Sequence, residues 1–171
     1  MRRRRAAAVP LVLALAVAAG GCVYGFSGGG GLPDHIKTVY VPPVQNETTR
    51  FAVTEQVTQG LLEAVRGRLG GQVASEQQAD AVIRVTLTRY GEEALSFQAQ
   101  EDVGADVIQR RVTLTASVEI EDRVRERTMW QSSSVRGTGE YAPEEESEDV
   151  ALQVAVEDLI QKIVNGAQSQ W

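Results

Sequence analysis

Arg111-Val112-Thr113-Leu114-Thr115-Ala116-Ser117-Val118-Glu119-Ile120 is the most regular stretch of the chain. Its apolar positions Val112, Leu114, Ala116, Val118 and Ile120 alternate with polar ones. A period of two belongs to a strand, and one apolar side with one polar side belongs to an antiparallel sheet covered on one face. Outward from it, Asp122–Glu126 turns the chain, and Arg127–Arg136 reads as the next strand. With regular alternation, Met129 and Val135 face the core and Trp130 shares the open face with Arg136. Upstream, Ala81–Tyr90 is another strand. Ala81, Ile83, Val85 and Leu87 line one side, and Arg84, Thr86 and Thr88 the other. Gly91–Gly104 between them reads as a loop or frayed extension holding Glu92, Glu93, Glu101 and Asp102.

Two helices flank these strands. Val57, Leu61, Val65 and Leu69 recur at helical spacing, so a helix is expected over Arg50–Leu69. Thr48 or Thr49 can cap it, and Gly70-Gly71 stops it. Before it, Ile36–Val41 is β-rich and ends at Pro42-Pro43, since proline cannot donate to a ladder. Near the C-terminus, Gly137-Thr138-Gly139 is expected to break the sheet. The acids Glu144, Glu145 and Glu146 then suit a helix's first turn. That helix is expected over Glu145–Asn165, with Leu152, Ala155, Val156, Leu159 and Ile163 as its stripe and Asn165-Gly166 as its end. The order is β-α-β-β-β-α. The fold class expected is α+β: a two-layer α/β sandwich, with a four-stranded mixed sheet carrying two helices on one face. The first β-α-β is a parallel crossover.

The N-terminus reads as an address. Arg2 to Arg5 are a positive start, and Ala6–Ala19 is a 14-residue apolar run that ends in small residues before Cys22. That is the layout of a secretory signal peptide over residues 1–21. The run is shorter than the roughly 20 residues that span a bilayer. Cys22, the chain's one cysteine, resembles the lipobox cysteine of bacterial lipoproteins. The resemblance implies a diacylglycerol on the thiol and an acyl chain on the new amino terminus, and no other cofactor. The usual lipobox has leucine where this chain has Ala19. Residues 22–34, with Gly28–Gly31, form a tether, and 35–171 a single domain. Without the four leading arginines the formal charge of −6 becomes −10. An acidic balance of that size argues against a nucleic-acid partner.

Chemistry-bearing clusters are sparse. Glu144–Glu146 is read as a solvated helix start, and the one histidine, His35, as a surface loop residue. No G-x-S-x-G motif and no calcium-loop spacing is present, and one histidine gives no multi-His metal site, so neither catalytic nor metal residues are assigned. The open sheet face remains. Arg84, Thr86 and Thr88 should lie beside Arg111, Thr113, Thr115 and Ser117, then Trp130, Ser132, Ser134 and Arg136. This is either a plain wetted surface or a platform that hydrogen-bonds sugars and pairs with phosphates. Trp130 beside arginines favours an interface.

Several landmarks carry a family likeness. They are Cys22-Val23-Tyr24-Gly25-Phe26-Ser27-Gly28, Ile36-Lys37-Thr38-Val39 leading to Asn46-Glu47-Thr48, and Ala79-Asp80-Ala81. Asp122 with Met129-Trp130 and Gly137–Tyr141 complete them. In order and spacing the chain resembles the LptE family of lipopolysaccharide-assembly lipoproteins. The resemblance implies a lipid-anchored, non-enzymatic component on the periplasmic side of the outer membrane. It would sit in the lumen of an LptD-like β-barrel, assist its assembly and contact lipopolysaccharide. In the family, basic residues help bind lipid A phosphates; Arg84, Arg111 and Arg136 are candidates here from strand geometry, with Trp130 as an anchor. Strand one into Pro42–Thr48 also resembles lipoproteins that activate a peptidoglycan synthase, which is the alternative role.

Overall fold

The alternating run from Arg111 to Ile120 is the middle of a longer strand. A computed structural model describes residues 31–100 and 104–170. Cys22, the expected signal segment and most of the glycine-rich stretch lie outside the described residues. The elements are β1 (Thr38–Tyr40), β2 (Gln45–Asn46), α1 (Val53–Gly67), β3 (Gln72–Val73), β4 (Ala81–Gln100), β5 (Gly104–Asp122), β6 (Arg127–Tyr141) and α2 (Glu148–Gln168). They form one six-stranded sheet in the order β3-β1-β4-β5-β6, with β2 also on β4. β1 runs parallel to β4, as the expected crossover requires, and β4, β5 and β6 are antiparallel neighbours. The α+β class stands. The two additional strands are two-residue pieces, β2 and β3, too short to show a period.

Both helices lie over the face that carries Val112, Leu114, Ala116, Val118 and Ile120, each at most 2 % exposed. Val57, Leu61 and Val65 of α1, and Ala155, Leu159 and Ile163 of α2, close the same core. The helix entry is capped differently from expectation. No side chain caps α1 directly. Instead Asn46 organises the turn before it. Its Oδ1 accepts from the Thr48 amide and hydroxyl, and its Nδ2 donates to the Arg50 carbonyl and Thr54 Oγ1. Thr48 Oγ1 in turn accepts from the Arg50 amide.

Two stretches expected to interrupt the sheet continue it. From Gly91 to Gln100 the expected loop is strand, and its acids Glu92 and Glu93 find cross-strand partners; Glu101 and Asp102 lie outside the described residues. Arg110 donates to Glu92 at 2.9 Å, and Tyr141 Oη donates to the same carboxylate at 2.5 Å. Glu93 lies 3.5 Å from Arg111. The Tyr141 and Arg110 bonds hold the Glu92 carboxyl below its usual range against a smaller effect of burial. Likewise β6 runs straight through Gly137 and Gly139. These glycines are there for close approach: a Cβ at Gly137 would fall on the Ala155 carbonyl oxygen, and one at Gly139 on that of Ala151. The closing helix also passes through Gly166, where the Trp130 ring fills the space a side chain would need.

Candidate functional site

The helix-free face of β4, β5 and β6 is ordered in rungs. Arg84 faces Glu119 across the strands, and Glu119 faces Gln131. Arg89 faces Thr115, and Thr115 faces Arg136. Gly91, Thr113 and Thr138 make the next rung, and Glu93, Arg111 and Glu140 the one beyond. Directly opposed residues of a sheet share a face, so the two ends of this surface are charged and its middle is hydroxyl-rich.

The charges at the two ends are already matched. Arg84 donates to Glu121 at 2.8 Å and lies 3.7 Å from Glu119. Arg111 donates to Glu140 through Nε at 3.0 Å and Nη2 at 2.5 Å. The Glu121 hydrogen bond raises the guanidinium of Arg84, and that to Glu140 raises Arg111. Two of the three expected basic candidates therefore arrive with carboxylates attached. Arg136 has none among the described residues. Its main-chain carbonyl accepts from Lys162 Nζ at 2.9 Å.

Arg89, which regular alternation does not select, is the second guanidinium of this face without a carboxylate among the described residues. It stands across Thr115 from Arg136, and both line a shallow depression of about 680 Å³ with Thr113, Ser134 and Thr138. Its place results from a register shift between Leu87 and Arg89. A bulge adds one residue to the strand and turns the residues beyond it to the other face. One signal was available. Alternation continued past Leu87 would bury Arg89 and expose Tyr90, whereas Tyr90 packs partly buried against the core.

Trp130 is not on this face, which corrects the sequence expectation. Val135 faces Ala116 and Ser132 faces Val118, so Ser133 and Ser134 together stand against Ser117. This extra residue shifts the parity, and Trp130 pairs with the core residue Ile120 and packs over Gly166 of α2. Three serines in a row carry no alternation that could have revealed it. Trp130 therefore packs between β6 and α2 and does not stand beside Arg136 on the open face.

His35 is also corrected. It is half-buried, and its Nε2 lies 2.7 Å from Asp122 Oδ2, whose side chain is fully buried. Among the described residues no group of three or more His, Cys, Asp or Glu could hold a metal ion. No described helix is long and apolar enough to cross a membrane.

A small α+β domain with two helices on one sheet face and a hydroxyl-rich second face left uncovered is the class these features define. Two solved structures share its fold. A hypothetical protein of Chlamydia trachomatis matches at 11 % identity and a TM-score of 0.53, over 79 % of this chain and 97 % of its own. Uncharacterized lipoprotein B from Nitrosomonas europaea matches at 14 % and 0.56, over 82 % and 84 %. Identities so low speak for the fold alone. No relative among the curated proteins matches the sequence. The family model LptE, described as lipopolysaccharide-assembly, matches residues 36–166. The chain belongs to the LptE family.

Proposed function

We propose that this chain is a lipid-anchored lipoprotein of lipopolysaccharide assembly. Residues 1–21 are its removable signal, Cys22 its acylated anchor and residues 22–34 its tether. The domain plugs an LptD-like outer-membrane barrel from the periplasmic side, assists the barrel's assembly and contacts lipopolysaccharide. It performs no catalysis in this role. The family membership supports the reading. So does the open face, since the interior of an outer-membrane barrel is polar and a hydroxyl-rich surface can exchange its water for such a lining.

The observation that carries the lipopolysaccharide half is the two guanidiniums without a carboxylate among the described residues, Arg89 and Arg136, flanking Thr115 in one depression. A guanidinium offers two parallel N–H donors to a phosphate. Arg84 and Arg111 would first have to leave their carboxylates, so they contribute less than the sequence suggested. The test is lipopolysaccharide capture by charge-reversed variants, with the barrel pull-down read in parallel from a tag at Trp171. Arg136→Glu and Arg89→Glu should each weaken capture about tenfold, the cost of losing one charge-assisted pair and adding repulsion. Arg84→Glu should change it by less. Equal losses at all three positions, or none, would return the face to an ordinary wetted surface. Recovery of a peptidoglycan synthase in place of a barrel would overturn the plug role.

A further inference from the structure

The sheet's two long edges are treated in opposite ways. Along β6, helix α2 closes the edge: Asp158 Oδ2 accepts from the Thr138 amide at 2.9 Å, and Lys162 Nζ donates to the Arg136 carbonyl at 2.9 Å. Asp158 and Lys162 are themselves paired at 2.7 Å. An acceptor and a donor one helical turn apart thus occupy backbone groups that an added strand would need. Along β4 the cover stops early. β1 pairs with Ala81 and Val82, β2 with Thr86 and Leu87, and the Glu47 amide with the Leu87 carbonyl. From Arg89 to Ala94 the outer edge of β4 has no backbone partner among the described residues. A free edge of this length is a template for pairing with another chain.

The sequence of that edge is self-complementary. Arg89-Tyr90-Gly91-Glu92-Glu93 laid antiparallel on a second copy, with Gly91 opposite Gly91, sets Arg89 against Glu93 and Glu93 against Arg89. Both residues are on the open face, opposite Thr115 and Arg111 respectively. Arg89 has no carboxylate partner among the described residues, and the Glu93 side chain is 64 % exposed with Arg111 3.5 Å away. Tyr90 meets Glu92 on the other side. The bulges after Leu87 and Ala94 delimit the segment. The second bulge lies where β4 would otherwise meet the other copy's β2, and a bulged strand bends at such a point. We infer that the free edge of β4 binds a second copy of this chain as an isologous antiparallel pair centred on Gly91, held by reciprocal Arg89–Glu93 contacts. A two-fold axis normal to the sheet keeps the two open faces on the same side. The inference rests on the edge geometry; it shares Arg89 with the proposed lipopolysaccharide site, so a paired chain and a chain that offers Arg89 to a phosphate are alternative states of the domain.

The full chain carrying Cys22→Ser provides the test, because residue 91 can then hold its one thiol. A Cβ at Gly91 meets nothing within 4 Å, so Gly91→Cys is compatible with the fold. Opposed residues of an antiparallel pair have Cα atoms about 4.5–5.5 Å apart, inside the range a disulfide spans. Under mild oxidation Gly91→Cys should give a covalent dimer, while Gln131→Cys, exposed on the same face of β6, should stay monomeric. Equal crosslinking at both positions would overturn the inference. Sedimentation supplies the second readout. Arg89→Glu alone and Glu93→Arg alone set like charges against each other and should each weaken the dimer on the order of tenfold. Mixed one to one, they restore both opposite-charge contacts and should recover the dimer. A mixture no more associated than either variant, or a parent chain monomeric at every concentration, would overturn it.

Discussion

Asp122 is fully buried and still charged, which sets a demand on everything around it. Its Oδ1 accepts from the Val124 and Arg125 amides at 3.0 Å each, holding the turn between β5 and β6. Its Oδ2 takes His35, and Arg127 approaches to 3.7 Å. Burial pushes its carboxyl upward, but the His35 hydrogen bond and the two amides outweigh that and leave it below the ordinary value. A carboxyl lowered in the folded state contributes stability above its unfolded pKa, about 3.9, and loses it as pH falls through the folded value. Urea unfolding should therefore show Asp122→Ala less stable at neutral pH by roughly 3 kcal/mol, the cost of stranding several buried donors. The deficit should shrink as pH falls below about 4. A deficit independent of pH would mean that shape, and not charge, is what the site needs. None of this was legible in the sequence. His35 and Asp122 are 87 residues apart, and no local period links a pre-strand loop to a distant turn.

At the scale of elements, β5 shows what periodicity can and cannot disclose. Its alternation from Arg111 to Ile120 reports a helix-covered face and an open one, and its apolar positions all lie on the covered face, while Thr115 on the open one is itself buried. The neighbours break the rule through added residues, among them Thr88 in β4 and one in the serine run of β6. Each addition moves the residues beyond it across the sheet, so Arg89 joins the open face and Trp130 leaves it. The same elements reverse the expected meaning of glycine. Gly137 and Gly139 suggest a break in sequence, yet they let α2 settle on β6 at backbone distance. Overpacking of a tight contact costs about 1–3 kcal/mol. Gly139→Ala should thus lower the urea midpoint by an amount in that range or more, because the added carbon meets main-chain atoms of Ala151 and Ala155 that no rotamer change can move. Gly91→Ala, with open space around its Cβ, is the matched comparison and should cost well under 1 kcal/mol. Equal losses would show that backbone freedom, and not the helix contact, is why these positions are glycine.

For the molecule as a whole, the question is what holds an acidic domain at a membrane. The order of β1, α1, β4, β5, β6 and α2 was legible from alternation and helical spacing, while the two-residue β2 and β3 were not; the family was legible from landmarks scattered along that order. The proposed attachment point, Cys22, lies outside the described residues, and its role rests on chemistry. The charge of −10 beyond the leading arginines gives no attraction to anionic lipid. No described helix can span the bilayer. The proposed acylation at Cys22 would supply the affinity, at about 0.8 kcal/mol per buried CH₂, with more than one chain needed for stable binding. Gly28–Gly31 lies in sequence between that anchor and Ile36, the first buried residue among the described ones. Since the described domain has its own core, releasing the lipid should leave it folded. Cys22→Ser is therefore expected to lose metabolic acyl label and to move from the membrane pellet to the soluble fraction, with an unchanged circular dichroism spectrum and unfolding midpoint. Label that persists would show that the lipid is attached elsewhere. Loss of label with retention in the pellet would mean that a protein partner, and not the acyl chains, supplies the dominant affinity. The barrel pull-down repeated on that variant would identify it.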